Sequence, residues 1–497
     1  MFGSRKAWRR IACLLGGLCL GGALSLAGEL RAEAAPTPQS KSNDKDNNKK
    51  DKDTNENVGL GVALPPHLAG VPILDLASCK AVALSKQPAI AAAQASYQAA
   101  LARQKGLDTI CVPRFLARDL PTRKTQAAVG VNAAQLEIQR VQLDAVYAVT
   151  FGYLSAQYAA EQHALLESSR KRLLELKDGV KAGLDAGKTN VREEDLARVD
   201  VYRGIVNARI EESVQGEQRA MSALREALAI DPHSPLVLRA TGLFRLEPDL
   251  SKDHLVADAL ARRPEIQQAT LLSQIHALEV EAQGMRRLFP TSPTFASGSD
   301  IHSRPLPAGS YDEQYKPAAL GPEMPVTING DCGARAEIAR AYEQRSGSLL
   351  EKTRNLIVLE TEQAYFRYLE ARRKLPVLQE AAKKAQEVFD ATDKVFKAGR
   401  REVSVRDWLQ AGSQVTEVKS QLNQTRYQML VALAGLERAT ACGYQPAFEA
   451  APTTDPPEQK RKEKKENNEE NLDRPKGKGK DGKPDEGAAA ARPGPRL

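Results

Sequence analysis

The sequence predicts a mainly α fold, a duplicated pair of long antiparallel helical hairpins with at most a small β element. Three observations carry that expectation. First, the chain describes itself twice: Ser85-Lys86-Gln87-Pro88-Ala89-Ile90 is echoed by Ala261-Arg262-Arg263-Pro264-Glu265-Ile266. Phe151-Gly152-Tyr153-Leu154 is echoed in the same order by Phe366-Arg367-Tyr368-Leu369, and Ala186-Gly187-Lys188 by Ala398-Gly399-Arg400. Second, apolar residues recur at heptad spacing before each Ala-Gly pair, as a coiled-coil seam requires. Third, only 5% of residues are aromatic while 27% are charged, a balance suited to long helices rather than a sandwich. The two copies differ in one place: the stretch from Pro290 to Phe366 is longer than its counterpart from Pro113 to Phe151. A duplicated hairpin with a variable insert implies a tube or scaffold rather than a catalytic pocket.

In the first copy, Asp75 is a good N-cap for a helix from Leu74 to about Leu107, kinked or broken at Pro88. Residues 108–121, with Pro113 and Pro121, form a connection. One long helix then runs from about Thr122 to Leu184, with Ala159, Leu166, Leu173 and Val180 as its seam. Gly183 and Gly187 sit where it must stop, because glycine takes the left-handed cap conformation cheaply. A return helix from Val191 reaches about Ile230, ended by Asp231-Pro232-His233-Ser234-Pro235.

The second copy repeats the plan. Asp253 caps a helix that continues past Pro264 to about Leu288. A long helix from about Gly333 to Lys397, with Pro376 as a kink, uses Ala381, Val388 and Val395 as seam positions and ends at Gly399. The return helix carries Trp408, Val415 and Leu422 and closes before Cys442-Gly443.

The chain ends have a different character. Arg5, Lys6, Arg9 and Arg10 precede an apolar run from Ile11 to Ala27, and Ala32-Glu33-Ala34 offers a small-x-small cleavage site. The run is glycine-weakened and short of the ~20 residues that span a bilayer, which favours export over a membrane anchor. The expected organisation is a signal peptide over 1–34, a disordered linker over 35–58 and a first hairpin repeat over 59–250. A second repeat follows over 251–443, with an insert at 289–332, then a disordered mixed-charge tail over 444–497.

Export leaves Cys79, Cys111, Cys332 and Cys442 without metal spacing; Cys111 and Cys332 fall near one end of the bundle, as a disulfide or as free thiols. The six histidines show no metal-ligand pattern, and no nucleophile elbow, P-loop or dinucleotide fingerprint is present. No catalytic residue, cofactor or metal is expected, and the protein reads as a non-enzyme. Glu193 and Glu194 read as a solvated face near a helix N-terminus. The net charge is +8, but most of the clustered basic residues lie in a mixed-charge tail with abundant Glu and Asp, and no aromatic-interleaved basic stripe appears, so no nucleic-acid partner is expected.

Taken in order, these elements resemble the TolC-like outer-membrane efflux family over roughly residues 74–443. That family's repeat begins with an Asn/Arg-Pro-Glu/Asp-Ile element, matched by Arg263-Pro264-Glu265-Ile266 and more loosely by Gln87-Pro88-Ala89-Ile90. Its hairpin tips read Ala-Gly, a β-branched residue, then Asp-x-Leu-x-Ala. Here the second copy has Ala398-Gly399, Val403 and Asp407-Trp408-Leu409-Gln410-Ala411, and the first has Ala186-Gly187, Val191 and Asp195-Leu196-Ala197. The resemblance implies a homotrimer whose hairpins form a periplasmic α-barrel tunnel beneath an outer-membrane β-barrel. It implies passive export without cofactors, coupled to an inner-membrane transporter through a periplasmic adaptor.

By the same resemblance the adaptor docks at Gly187, Val191, Asp195, Gly399 and Val403, and Asp407 with Gln410 marks the tunnel-entrance constriction. Asp407 is equally readable as a helix cap, and Gln410 stands where the family has a second acid. The implied localisation is the bacterial outer membrane or periplasm. A barrel needs two strands of about 9–11 residues from each repeat. Residues 108–121 cannot hold them, and 289–332 offers only Phe295-Ala296-Ser297-Gly298-Ser299-Asp300-Ile301 and Pro325-Val326-Thr327-Ile328-Asn329. The sequence therefore describes the tunnel with its barrel reduced, and a periplasmic helical scaffold is the alternative.

Overall fold

The computed structural model describes residues 73–448, apart from 114, 116, 187–190, 240–241, 288–289, 296–323 and 399–402. The expected signal peptide and linker, most of the charged tail, and both tip glycines, Gly187 and Gly399, lie outside the described residues.

The duplication is closely kept in element lengths. After the two-residue strand β1 (Ile73–Leu74) come α1 (Leu76–Lys86, 11 residues) and α2 (Pro88–Asp108, 21 residues). The hairpin α3 (Leu120–Asp185, 66 residues) and α4 (Glu193–Ala227, 35 residues) completes the first copy. A connecting segment carrying β2 (Val237–Leu238) leads to α5 (Lys252–Arg262, 11 residues) and α6 (Pro264–Met285, 22 residues). Strands β3 (Thr291–Pro293) and β4 (Thr327–Asn329) precede the second hairpin, α7 (Cys332–Lys397, 66 residues) and α8 (Val405–Ala439, 35 residues). At 1.5 Å per residue each long helix extends about 100 Å.

Both breaks fall before a proline. Gln87 and Arg263 are extended (ψ 119° and 124°), because the residue before proline is pushed out of the helical region. Asp75 caps α1 as expected, accepting from the Ser78 amide at 2.8 Å. Asp253 does not cap α5; the N-cap is Ser251 and Asp253 lies in the first turn, where its charge still suits the helix dipole. α7 passes Pro376 as one helix.

The seam of α3 follows the sequence, with Ala159, Leu166, Leu173 and Val180 all buried and the line extended upstream by Gly152 and Ala145. On α7 the expected seam is displaced by one residue. Val388 is 55% exposed, whereas Tyr368, Leu375, Ala382 and Phe389 are buried and Phe396 packs on the same core. A one-residue shift turns a helix by about 100°. The larger Phe389 and Phe396 rings, rather than Val388 and Val395, therefore set which face turns inward. In α8, Trp408, Val415 and Leu422 are buried as expected.

The main core gathers the middle of both hairpins, including Val149, Leu154, Leu224, Leu375, Leu430 and Leu433. The segment between the copies is tied across the long helices by two equivalent tyrosines. Tyr153 Oη donates to the Arg239 carbonyl at 3.3 Å, and Tyr368 Oη donates to the Pro248 carbonyl. Gln157 adds a bond to Arg239 O at 2.8 Å, and Glu161 accepts from the Leu243 amide at 2.6 Å. Phe448, 2% exposed, packs on Phe244 with ring centroids 5.7 Å apart, so the ordered body runs past the expected boundary at 443.

β1 pairs in parallel with β2, and β3 antiparallel with β4. The ribbon seats against the start of α3 and the last turns of α2: Arg123 donates to the Pro293 carbonyl at 3.1 Å, and the Arg103 guanidinium of α2 lies 3.8 Å from the ring centroid of Phe295, just past β3. Cys79, Cys111, Cys332 and Cys442 are free thiols; the Cys111–Cys332 bridge is not formed.

Both return helices end in left-handed residues that are not glycine: Ala229 (φ 52°), then Ala441 (φ 47°) and Cys442 (φ 60°). The turns are closed by Ile230 N to Arg225 O at 3.1 Å and Cys442 N to Glu437 O at 2.9 Å. A side chain in this region costs about 1–2 kcal/mol, partly offset by the lower unfolded-state entropy of alanine. Ala229→Gly and Ala441→Gly are each expected to raise stability by about 0.5–1 kcal/mol, read as a higher urea midpoint; a lower midpoint would contradict the strain.

Candidate functional site

Two places set what this architecture can do: the junction where each copy begins and the tip where each hairpin turns. At the junction, the residue before proline reaches the end of its own repeat's return helix. Gln87 Nε2 lies 3.5 and 3.4 Å from the carbonyls of Glu226 and Ala227, and Arg263 Nη1 donates to the Arg438 carbonyl at 3.2 Å. The last carbonyls of a helix lack intrahelical partners and carry partial negative charge, so an amide or guanidinium is suited there.

Arg263, 1% exposed, does more. It bonds Glu265 (2.9 Å) and Glu360 (2.9 Å). Glu360 also accepts from Arg438 (2.8 Å), which in turn bonds Asp144 at 2.7 Å. Asp144 meets Arg140 at 3.3 Å. Four helices, α3, α6, α7 and α8, thus share one ion-pair network. The sequence exposed Arg263 and Glu265 through the repeat but not their partners on α3, α7 and α8, which lie far off in sequence.

At the tips, α3 ends at Asp185 and α7 at Lys397, and the return helices restart at Glu193 and Val405. Val191 is half-buried against the tip core, and Val403 is half-buried. Asp195 and Asp407 occupy the same N3 position of their return helices. Asp195 Oδ2 accepts from the Arg192 amide at 3.1 Å. Asp407 Oδ2 accepts from the Ser404 amide (3.0 Å) and hydroxyl (2.7 Å), while Ser404 Oγ accepts from the Asp407 amide at 3.3 Å. The two bonds from Ser404 hold the exposed Asp407 carboxyl below its ordinary value. Ser404, not Asp407, is the N-cap, and the pair forms a capping box. Gln410 is exposed one turn further on. Glu193 and Glu194 are exposed in the first turn of α4, as expected of a solvated face.

Beneath the tips lies a separate core of Leu173, Leu176, Val180, Val199, Phe389, Val405, Trp408 and Leu409. Trp408 meets Phe389 edge-on with centroids 5.2 Å apart, and its indole N–H donates to Asp393 Oδ1 at 2.8 Å. A cavity of about 350 Å³ opens beside this pair between α4 and α8, over α3. The heptad pattern marked Trp408 as a seam residue but gave no sign of the cavity, which depends on how far apart α4 and α8 stand.

Burial raises the Asp393 carboxyl, but bonds from Lys397 and Trp408 outweigh it and hold the pKa below its ordinary value. A carboxylate depressed in the folded state contributes stability that is present above the unfolded pKa and lost as pH falls through the folded one. Trp408 emission should therefore stay constant on acidification through the ordinary carboxylate range and change only below it. A transition at or above that range in a fluorescence titration would contradict the assignment.

Among the described residues no cluster of His, Cys, Asp and Glu could hold a metal, and no helix is long and apolar enough to cross a membrane.

Comparison with known proteins agrees with this geometry. Residues 255–441 match the family described as outer membrane efflux protein. The structure is similar to the outer-membrane channel OprN, with a TM-score of 0.59 at 16% identity over 75% of this chain and 91% of that one. It is similar to the open-state outer membrane channel MtrE of Neisseria gonorrhoeae, with a TM-score of 0.58 at 14% identity over 74% and 89% of the two chains. For the outer membrane channel CmeC of Campylobacter jejuni the TM-score is 0.59 at 13% identity, over 79% and 89%. No curated protein matches the sequence. The second repeat thus matches the outer membrane efflux protein family, on a chain whose helical fold is similar to that of outer-membrane channels. Match and fold together indicate an exported protein of the bacterial outer membrane or periplasm.

Proposed function

We propose that this protein is the passive outer-membrane conduit of a multi-part efflux or secretion system. It acts as a homotrimer, coupled to an inner-membrane transporter through a periplasmic adaptor. The observation that carries the reading is the pair of matched hairpins, each a 66-residue helix returning through 35 residues, in a fold shared with outer-membrane channels. A single copy leaves an apolar stripe of that length exposed. Phe366, Val377 and Val388, exposed by 52%, 66% and 55%, recur at three-turn spacing and so lie along one stripe of α7. Such a stripe suits packing against a second copy. In the assembled tunnel the adaptor meets Val191, Asp195 and Val403, with Gly187 and Gly399 at the turns. Asp407 and Gln410 line the entrance, where a ring of aspartates favours cations. Nothing in this role requires covalent chemistry.

One observation favours a second reading, a periplasmic scaffold that binds an adaptor without transport. The connection 109–119 between α2 and α3 is too short for two spanning strands of about 9–11 residues, and β3 and β4 have three residues each. Density-gradient fractionation of host cells, with high-salt and carbonate washes, separates the two. The conduit stays in the outer-membrane fraction through both washes. Release into the soluble envelope fraction would replace it with the scaffold.

A further inference from the structure

The cavity beneath the hairpin tips is built for more than helix packing. Its walls are apolar and aromatic, with Leu173, Ile205, Phe389 and Trp408 contributed by α3, α4, α7 and α8. Its volume of about 350 Å³ lies in the range of small-molecule sites. Gly412 keeps it open: a Cβ there would come within 3.3 Å of the Phe389 ring. Across the site Arg209 of α4 meets Glu417 of α8 at 3.1 Å, a half-exposed ion pair that neutralises its own charges.

Arg172 is the exception to that neutrality. It lines the cavity, half-buried, with its guanidinium 5.3 Å from the Phe389 centroid and one bond, at 3.0 Å, to the neutral hydroxyl of Ser169. Among the described residues no carboxylate forms an ion pair with it; Asp390, Asp393 and Glu175 act at longer range, and burial pulls its pKa below the ordinary value. A half-buried cation against aromatic walls, with no ion-pair partner among the described residues, is complementary to an anion that carries an apolar body.

We propose that this cavity binds an amphipathic organic anion, its aromatic or aliphatic body against Trp408 and Phe389 and its carboxylate or sulfonate on Arg172. The bound anion touches all four hairpin helices and so fastens the two coiled coils together near their tips. The site lies within one protomer and does not depend on the conduit reading.

The chain has two tryptophans, Trp8 and Trp408. In the full chain carrying Trp8→Phe, Trp408 is a sole reporter placed in the cavity wall. Titration with 1-naphthoate should change its emission saturably, with 1-naphthylmethanol binding more weakly and 1-naphthylmethylammonium not at all. Arg172→Met should weaken naphthoate by about tenfold, the scale of one lost charge-assisted hydrogen bond, and leave the alcohol unchanged. Arg172→Lys keeps the charge and should retain most of the affinity, and far-UV circular dichroism establishes that each variant folds. No saturable response to naphthoate, equal binding of all three probes, or undiminished naphthoate binding to folded Arg172→Met would each overturn the proposal.

Discussion

Replacing Arg263 with methionine should cost about 3–5 kcal/mol, the scale seen when one partner of a buried ion pair is removed. The side chain is 1% exposed and reaches two carboxylates and a helix-end carbonyl, none of which methionine can satisfy. The loss comes chiefly from the charges left behind, since Glu265 is 6% and Glu360 20% exposed at the side chain. Glu360 keeps its bond from Arg438, so neutralising Glu265 should recover stability: Arg263→Met with Glu265→Gln is expected to unfold at a higher urea concentration than Arg263→Met alone. Circular dichroism at matched protein concentration checks both, because oligomer stability shifts with concentration. A single variant as stable as the parent would mean the network is incidental to the junction.

Truncating Tyr368 to alanine should cost a similar amount, about 3–5 kcal/mol, as for other buried aromatics. Its ring is fully buried in the main core and its hydroxyl holds the connecting segment at Pro248. Tyr368→Phe keeps the ring and loses only the hydrogen bond, so about 1–2 kcal/mol is expected. Protease sensitivity of residues 231–251 separates the two contributions. It should rise in both variants if the hydroxyl anchors the segment, and in Tyr368→Ala alone if packing is the whole effect. Unchanged unfolding of Tyr368→Ala would contradict the assignment of this core.

The order of elements was legible because local signals agreed with the duplication. Prolines 88 and 264 broke helices at the same place in both copies, and Asp75 capped where expected. The α7 seam was not legible to the residue. Ala381 and Ala382, or Val388 and Phe389, are neighbouring apolar pairs, and only the partner helices decide which faces inward. The same limit applied at the tips. Asp407 was readable as an N-cap, but the structure gives that place to Ser404 and puts Asp407 at N3, a choice that depends on the chain path before α8. Long-range partners left no trace in a single sequence: Glu360 and Asp144 around Arg438, or Arg172 beside Phe389, lie in positions that heptad spacing assigns merely to a helix surface. Residues at the turns themselves, Gly187 and Gly399, stand outside the described structure, so their part in docking rests on the proposed function alone.

Planar-bilayer recording of the purified, cross-linked oligomer tests the central claim, that the protein conducts solute, most directly. A conduit predicts stepwise, long-lived conductance that appears with the folded oligomer and is abolished when urea unfolds it. A folded oligomer that associates with the bilayer or remains in solution without any unitary conductance would contradict the conduit and leave the scaffold.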